Sequence, residues 1–251
     1  MSILELSSVG FQFKMGESII HDISFNIEEG QFAVITGRNG SGKSMLLKCL
    51  KGLYPITQGR IIINNDDVSK KESMRNRLLG LIFQDADCQV VGQTVRRDIL
   101  FGLENINIPE DERERRVASV AHTFGLNALF DRNPQTLSGG ELRRLTMAGV
   151  MVMEPTILML DEPFANLDTE GIRQVLETLV KMRHQGVTII VVTHEIEKVL
   201  AYADTLILMD CGSIVASGLP DSVLPYVESH GVRRPRYPSG FIAVEDMTWL
   251  T

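Results

Sequence analysis

Cysteine is scarce. Cys49, Cys88 and Cys211 are the only three in the chain, an odd number with no two close together. Neither a disulfide framework nor a zinc knuckle is therefore expected, and a reducing compartment suits the chain. Positive charge is also in deficit: 25 lysines and arginines face 32 aspartates and glutamates, for a formal net charge of −7. Duplex binding leans on Lys and Arg to neutralise phosphates, so no nucleic-acid partner is expected. Long apolar runs are missing too. The longest, Val187 to Val192 (broken by Thr188) and Leu206 to Met209, fall far short of the ~20 residues that span a bilayer. The opening Met1-Ser-Ile-Leu-Glu-Leu lacks a basic region followed by an apolar stretch, so no signal peptide is expected. Work at a membrane would need a span supplied by another chain.

What is present is ordinary globular material, 44% hydrophobic and 23% charged, enough to bury a core. Residues 2–13 and 18–28 read as an antiparallel hairpin around Gly16. Gln31–Thr36 is a short apolar strand running into a glycine-rich loop. Leu46, Leu47, Leu50 and Leu53 then fall at helical spacing until Gly52 and Pro55 stop the helix. Strands follow at 59–63 and 79–83. Across 85–153 strand signals vanish and helices are expected, one at 109–125 opening Pro-Glu-Asp-Glu and one from Gly139 to Met153. Alternation then resumes: strand 156–160, helix 169–184, strand 187–192, helix 195–202, strands 205–210 and 213–217. This pattern predicts an α/β fold with a mainly parallel sheet, an N-terminal antiparallel β-subdomain and an inserted helical subdomain at 85–153. The domain is expected to occupy 1–225. The chain after Gly218, which includes the tail at 226–251, holds four prolines (220, 225, 235 and 238) and is expected to form a short helix plus irregular packing.

Two contiguous motifs carry chemistry. Gly37-Arg38-Asn39-Gly40-Ser41-Gly42-Lys43-Ser44 matches G-x-x-x-x-G-K-[ST], between a strand and a helix that begins near Met45. Glycines let the backbone wrap a phosphate with its N–H groups inward, and the helix adds the positive end of its dipole. Lys43 can then reach the β- and γ-phosphates and Ser44 can ligate Mg²⁺. The second motif is Thr156-Ile-Leu-Met-Leu-Asp161-Glu162, an apolar strand ending in two acids at the carboxyl edge of the sheet, where α/β proteins bind ligands. Asp161 can hold Mg²⁺ through water, and Glu162 can serve as general base toward the attacking water.

With Leu137-Ser138-Gly139-Gly140-Glu141, placed ahead of Asp161 as the pattern requires, the chain resembles the ATP-binding-cassette (ABC) ATPases, whose signature is LSGGQ. The resemblance covers nearly all of residues 3–218. It implies that Ser138, Gly139 and Gly140 face a phosphate of ATP held by a second subunit, two chains sandwiching two ATPs head to tail. It further implies that Gln84 touches Mg²⁺ and water, that Asn166-Leu-Asp168 crosses the dimer interface, and that His194 contacts the γ-phosphate. By the same resemblance Phe13 stacks on adenine, and residues 37–45, including Arg38, Asn39 and Met45, bind nucleotide. Glu141 departs from the signature and brings charge toward a polyphosphate, a cost unless Arg143 or Arg144 offsets it; the alternative reading makes both arginines ordinary exposed helix residues.

Gly80-Leu-Ile-Phe-Gln84-Asp-Ala-Asp87-Cys-Gln89 and Thr94-Val-Arg-Arg-Asp-Ile-Leu-Phe-Gly102 are similar to the ATPases of energy-coupling-factor (ECF) vitamin and cobalt/nickel importers, with Asp85, Ala86 and Cys88 departing from the pattern. That resemblance implies a peripheral subunit on the cytoplasmic face of the cell membrane, a homodimer or a heterodimer with a paralogous ATPase. Integral membrane subunits would be its partners, and it would not bind the solute itself. An exporter or lipid-trafficking ATPase, a soluble ABC ATPase and a P-loop phosphotransferase are the rival readings. Cys88 is expected to be structural, and Arg233, Arg234 and Arg236 to be solvated or at a subunit contact; the sequence does not decide whether Trp249 anchors the tail.

Overall fold

The chain begins with a long, bulged strand, β1 (Ser2–Gln12), which returns antiparallel as β2 (Ser18–Glu28). β3 (Phe32–Thr36) leads into α1 (Lys43–Lys51). Next come β4 (Gln58–Ile63), β5 (Asp66–Asp67), α2 (Glu72–Leu78) and β6 (Leu79–Ile82). Three helices follow with no strand between them among the described residues: α3 (Val95–Glu104), α4 (Glu110–Thr123) and α5 (Gly139–Met151). Then come β7 (Ile157–Asp161), α6 (Thr169–His184), β8 (Thr188–Val192), β9 (Thr205–Asp210), β10 (Ser213–Gly218) and the short α7 (Pro220–Val223). A two-stranded ribbon, β11 (Arg236–Tyr237) and β12 (Gly240–Phe241), lies near the end. The structure, a computed structural model, describes residues 1–250 except 14, 15, 17, 105, 107, 238 and 239. Pro238 and most of the β1–β2 turn thus lie outside the described residues.

Two sheets face each other. One is antiparallel, in the order β2-β1-β4-β5; the other runs β10-β9-β3-β8-β7-β6, parallel except for β10. β3, β7 and β8 (FAVIT, ILMLD and TIIVV) are buried at every position, as strands covered on both faces must be. Their side chains divide between two cores with the period of two that a strand imposes. Ala33, Ile35, Ile157 and Met159 pack with α1 and the antiparallel sheet. Phe32, Val34, Leu158 and Leu160 pack toward α3, α5 and α6. This arrangement puts the carboxyl ends of β3, β7 and β8 side by side.

Helix ends follow their local chemistry. At the end of α1, the Gly52 and Leu53 amides return to the carbonyls of Cys49 and Lys48. Asp168 caps α6 by accepting from the Gly171 N–H, and Lys181, Arg183 and His184 occupy its last turn, where the dipole favours cations.

The expected helix at 195–202 is instead two 3₁₀ turns, Ile196–Lys198 and Leu200–Tyr202. Ile196, Val199 and Leu200 are all drawn into the core, and Val199, at φ −127°, breaks the helical path. α2, β5 and the tail ribbon have no counterpart in the sequence reading. In that ribbon Phe241 receives Arg234 and Arg236 on its ring at 4.0 and 4.6 Å, and Arg236 also pairs with Glu228, so two of the three tail arginines are engaged within the chain. Trp249 does anchor the tail: Lys198 lies 6.0 Å from its ring and 5.9 Å from that of Phe164, and pairs with Glu195. No helix among the described residues is long and apolar enough to cross a membrane.

Cys49 is buried, and burial pushes its thiol up to about 12, whereas Cys88 and Cys211 are exposed. Cys88 sits in a surface turn and donates to Asp85 at 3.2 Å, which raises its pKa above the ordinary thiol value. A disulfide-exchange reagent is therefore expected to titrate two thiols in the folded protein and the third only after denaturation. Release of all three at one rate without denaturant would contradict the burial of Cys49.

Candidate active site

The loop between β3 and α1 is held tightly. At Gly37 (φ +149°) a Cβ would come within 2.0 Å of the Met209 carbonyl oxygen and 2.8 Å of Ser41 Oγ, so no side chain fits there. The Lys43 side chain, 6% exposed, curls into the loop: its Nζ donates to the Gly37 carbonyl (2.7 Å) and the Arg38 carbonyl (3.0 Å). Burial lowers the lysine's pKa, and the negative charge of Glu162 and Asp161 works against that shift. Ser44, in the first turn of α1, donates to Asp161 Oδ1 at 3.0 Å. Burial raises the Asp161 pKa, opposed by that hydrogen bond.

Glu162 leaves β7 with φ +46°, a conformation costing a residue with a side chain on the order of 1 kcal/mol or more. Its N–H still bonds the Val192 carbonyl (2.8 Å), so the sharp turn starts from a chain pinned to β8. The turn delivers the carboxylate to the end of β8. There it accepts from Thr193 Oγ1 (3.0 Å) and the His194 N–H (3.2 Å) and meets His194 Nδ1 at 2.8 Å. Glu162 is 8% exposed, while the His194 ring is about half exposed.

A cleft of about 470 Å³, within the range of small-molecule sites, is lined by residues 39–45, Gln84, Glu162, His194 and Ile19. Both contiguous motifs, Gln84 and His194 thus meet in one place. The Arg38 side chain does not line it. It reaches away to the β9–β10 turn, with Nε 2.7 Å from Asp210 Oδ1 and Nη2 2.8 Å from Cys211 Sγ. Phe13 is also outside the lining; its ring is edge-on to Phe11 (4.9 Å between centroids) and Tyr54 (6.2 Å).

Ser138, Gly139, Gly140 and Asp168 gather in a second hollow of about 290 Å³, which shares no lining residue with the first. The N-termini of α5 and α6 pack together here: a Cβ on Gly140 would lie 3.1 Å from Gly171 Cα. The first amides of a helix have no intrahelical acceptor. In α5 Ser138 Oγ takes the Glu141 N–H (3.3 Å) and Glu141 Oε2 takes the Ser138 N–H (2.8 Å), a reciprocal capping box. Ser138 N–H, expected to face a phosphate, is thus engaged by Glu141. The capping bonds lower the Glu141 pKa, helped by Arg144 and Arg132 nearby. Neither Arg143 nor Arg144 is an ordinary exposed residue. Arg144 is half-buried against the Phe124 carbonyl and Gln174, and Arg143 is buried against the carbonyls of Phe83 and Gln84. Thr193 and Ile19 were missing from the sequence reading, and only Thr193, beside His194, had a neighbour pointing to it; Arg143 was named there for its charge beside Glu141, not for its contact with the Phe83 and Gln84 carbonyls.

A profile of the family described as ABC transporter matches residues 20–165. The energy-coupling factor transporter ATP-binding protein EcfA2 of Methanospirillum hungatei is 35% identical over 93% of this chain, and the chain spans 59% of that protein's length. EcfA3 of Clostridium perfringens is 36% identical over 92% of this chain and 82% of its own length. The solved cbiO1 of Clostridium perfringens, described as part of the ABC transporter complex cbiONQ, superposes with a TM-score of 0.83 at 34% identity over 91% of this chain and 92% of its own. A nucleotide-free ATP-binding cassette from an ABC transporter matches in fold, with a TM-score of 0.81 at 24% identity over 92% of this chain and 96% of its own.

Proposed function

From the premise that this chain belongs to the ABC transporter family, as an ATP hydrolase of the ECF-transporter kind, we propose that it energises a membrane importer as one of two ATPase chains that close on ATP. One observation carries the reading. The residues suited to holding phosphate and cleaving it line one hollow, and a second pair of helix N-termini, with Ser138–Gly140 and Asp168, lines another. Each chain then offers one half-site of each kind, and two chains arranged head to tail complete both.

In this mechanism the loop amides and Lys43 grip the phosphates, with Lys43 exchanging its carbonyl partners at Gly37 and Arg38 for phosphate oxygens. Mg²⁺ fits the chain's donors, since the Ser44 hydroxyl and the Asp161 carboxylate already lie 3.0 Å apart as a pair of hard oxygens. When bound it would neutralise charge on the phosphates. Glu162 takes a proton from the attacking water, while Thr193 and the His194 N–H hold its carboxylate in place. His194 and Gln84 lie along the same cleft and bound the space for water and γ-phosphate. The helices between residues 85 and 153 transmit closure to an integral membrane partner from the cytoplasmic face, and the solute, a vitamin or a metal ion, is met by that partner.

Purification from detergent-solubilised membranes tests this reading. An integral membrane chain is expected to accompany the protein in fixed proportion. In vesicles the reconstituted complex is expected to accumulate solute on the side where ATP is supplied. Movement away from that side would make it an exporter, and absence of any membrane chain would make it a soluble ATPase; either result overturns the proposal.

A further inference from the structure

Gln84 stands where the chain has left the sheet. β6 ends at Ile82, so the backbone groups that follow have lost their ladder and need other partners. Two side chains supply them. Gln89 folds back across its own turn, accepting from the Phe83 N–H (3.0 Å) and donating to the Leu81 carbonyl (3.0 Å). Arg143 reaches over from α5, donating from Nη1 to the Phe83 carbonyl (2.7 Å) and from Nη2 to the Gln84 carbonyl (2.8 Å).

The cost of that second contact is informative. Arg143 is 3% exposed and its Nε is buried without a hydrogen-bond partner. Its charge is balanced at a distance by Asp85 and Asp87 rather than by a direct ion pair. Burying a cation against two neutral carbonyls, without a direct ion pair, carries a desolvation cost that the two charge-assisted bonds have to offset. A guanidinium also provides geometry: its planar fork fixes two acceptors relative to each other, which a lysine's single ammonium does not. Two successive carbonyls held this way restrict the rotation of the Gln84 backbone, and with it the direction its side chain takes into the cleft.

The other end of the contact is equally specific. Arg143 lies one turn into the helix that Ser138 caps. Thr146 Oγ1 bonds the Arg143 carbonyl (2.8 Å) inside that helix, so the arginine's root moves with α5. One side chain therefore joins the helix at the second hollow to the backbone of a residue lining the first.

We propose that Arg143 is a positioning residue that couples the two half-sites borne by one chain. Displacement of α5, when a second chain's nucleotide engages Ser138–Gly140, is delivered through the guanidinium to Gln84. The proposal rests on the two-chain reading above, and its test separates the two.

The variants are Arg143→Lys, Gln84→Ala and the two combined. Hydrogen exchange on the nucleotide-free protein comes first: Arg143→Lys is expected to speed exchange at the Phe83–Gln89 amides about tenfold, with β7 and α6 unchanged. In steady state it is expected to lower kcat about tenfold at a KM for ATP within about twofold of the parent, and to add nothing to the loss in Gln84→Ala. Additive losses, or unchanged exchange in 83–89, would overturn the coupling while leaving the two-chain site intact. Should Gln84→Ala keep full turnover, the role given to Gln84 falls and the coupling with it. If the lysine variant fails to fold, Arg143→Met, which fills the same volume without charge, is read in the same way.

Discussion

Glu162→Gln is expected to bind ATP as the parent chain does and to hydrolyse it at least about a hundredfold more slowly, the lower end of what a positioned base contributes. The fold has little reason to object. Glutamine keeps the length of the side chain, and its amide oxygen can accept the His194 N–H that Glu162 accepts at 3.2 Å. Its amide nitrogen then takes the place of Oε2 and can donate to Thr193 Oγ1, which lies 3.0 Å from that oxygen. The turn at φ +46° depends on the backbone bond to Val192, which the substitution does not touch. Only the basicity is lost. A chain that grips ATP but does not cleave it is expected to accumulate as a closed dimer, visible by gel filtration with ATP and Mg²⁺. Single-turnover hydrolysis near the parental rate would remove Glu162 from the role of base.

Two inactive variants are expected to restore each other when mixed. Lys43→Met removes the phosphate grip. Methionine suits the space of a side chain that is 6% exposed, so folding survives. Ser138→Arg fills the second hollow and removes the cap on α5, at a cost of about 1 kcal/mol in helix stability. Alone, each lacks one half of every site. Half of randomly paired chains are mixed dimers, each with one intact site, so turnover should rise to about a quarter of the parental value. The same experiment discriminates against a site contained within one chain, where mixing changes nothing. If labelled chains form mixed dimers and activity stays at the level of the separate variants, the head-to-tail site is wrong.

The first hollow was legible because its parts are contiguous. The glycine loop and the apolar run ending at Asp161-Glu162 each carry their own geometry, and an α/β sheet brings carboxyl strand ends together whatever lies between. The capping box went unread: Ser138 with Glu141 three residues on is its pattern, yet the glutamate looked like an electrostatic liability beside a polyphosphate, and the box accounts for it. Arg143 was not legible. Its acceptors lie 60 and 59 residues back along the chain, and they are main-chain carbonyls, which no residue type announces. Phe13 shows a different limit. Its place in the sequence suits an adenine platform, yet its orientation against Phe11 and Tyr54 is set by packing at the end of β1. The segment 195–202 was misread because apolar residues drawn into a core from several directions can mimic a helical period.

Trp249 is the chain's single tryptophan. It lies against Lys198, whose ammonium is bound to Glu195, and the Glu195 N–H bonds Thr193 Oγ1, which holds Glu162. A charge poised beside an indole ring tunes the colour of its emission. The unmodified protein thus carries a single native indole, with no second one to blur its signal, connected through these contacts to the turn that bears His194.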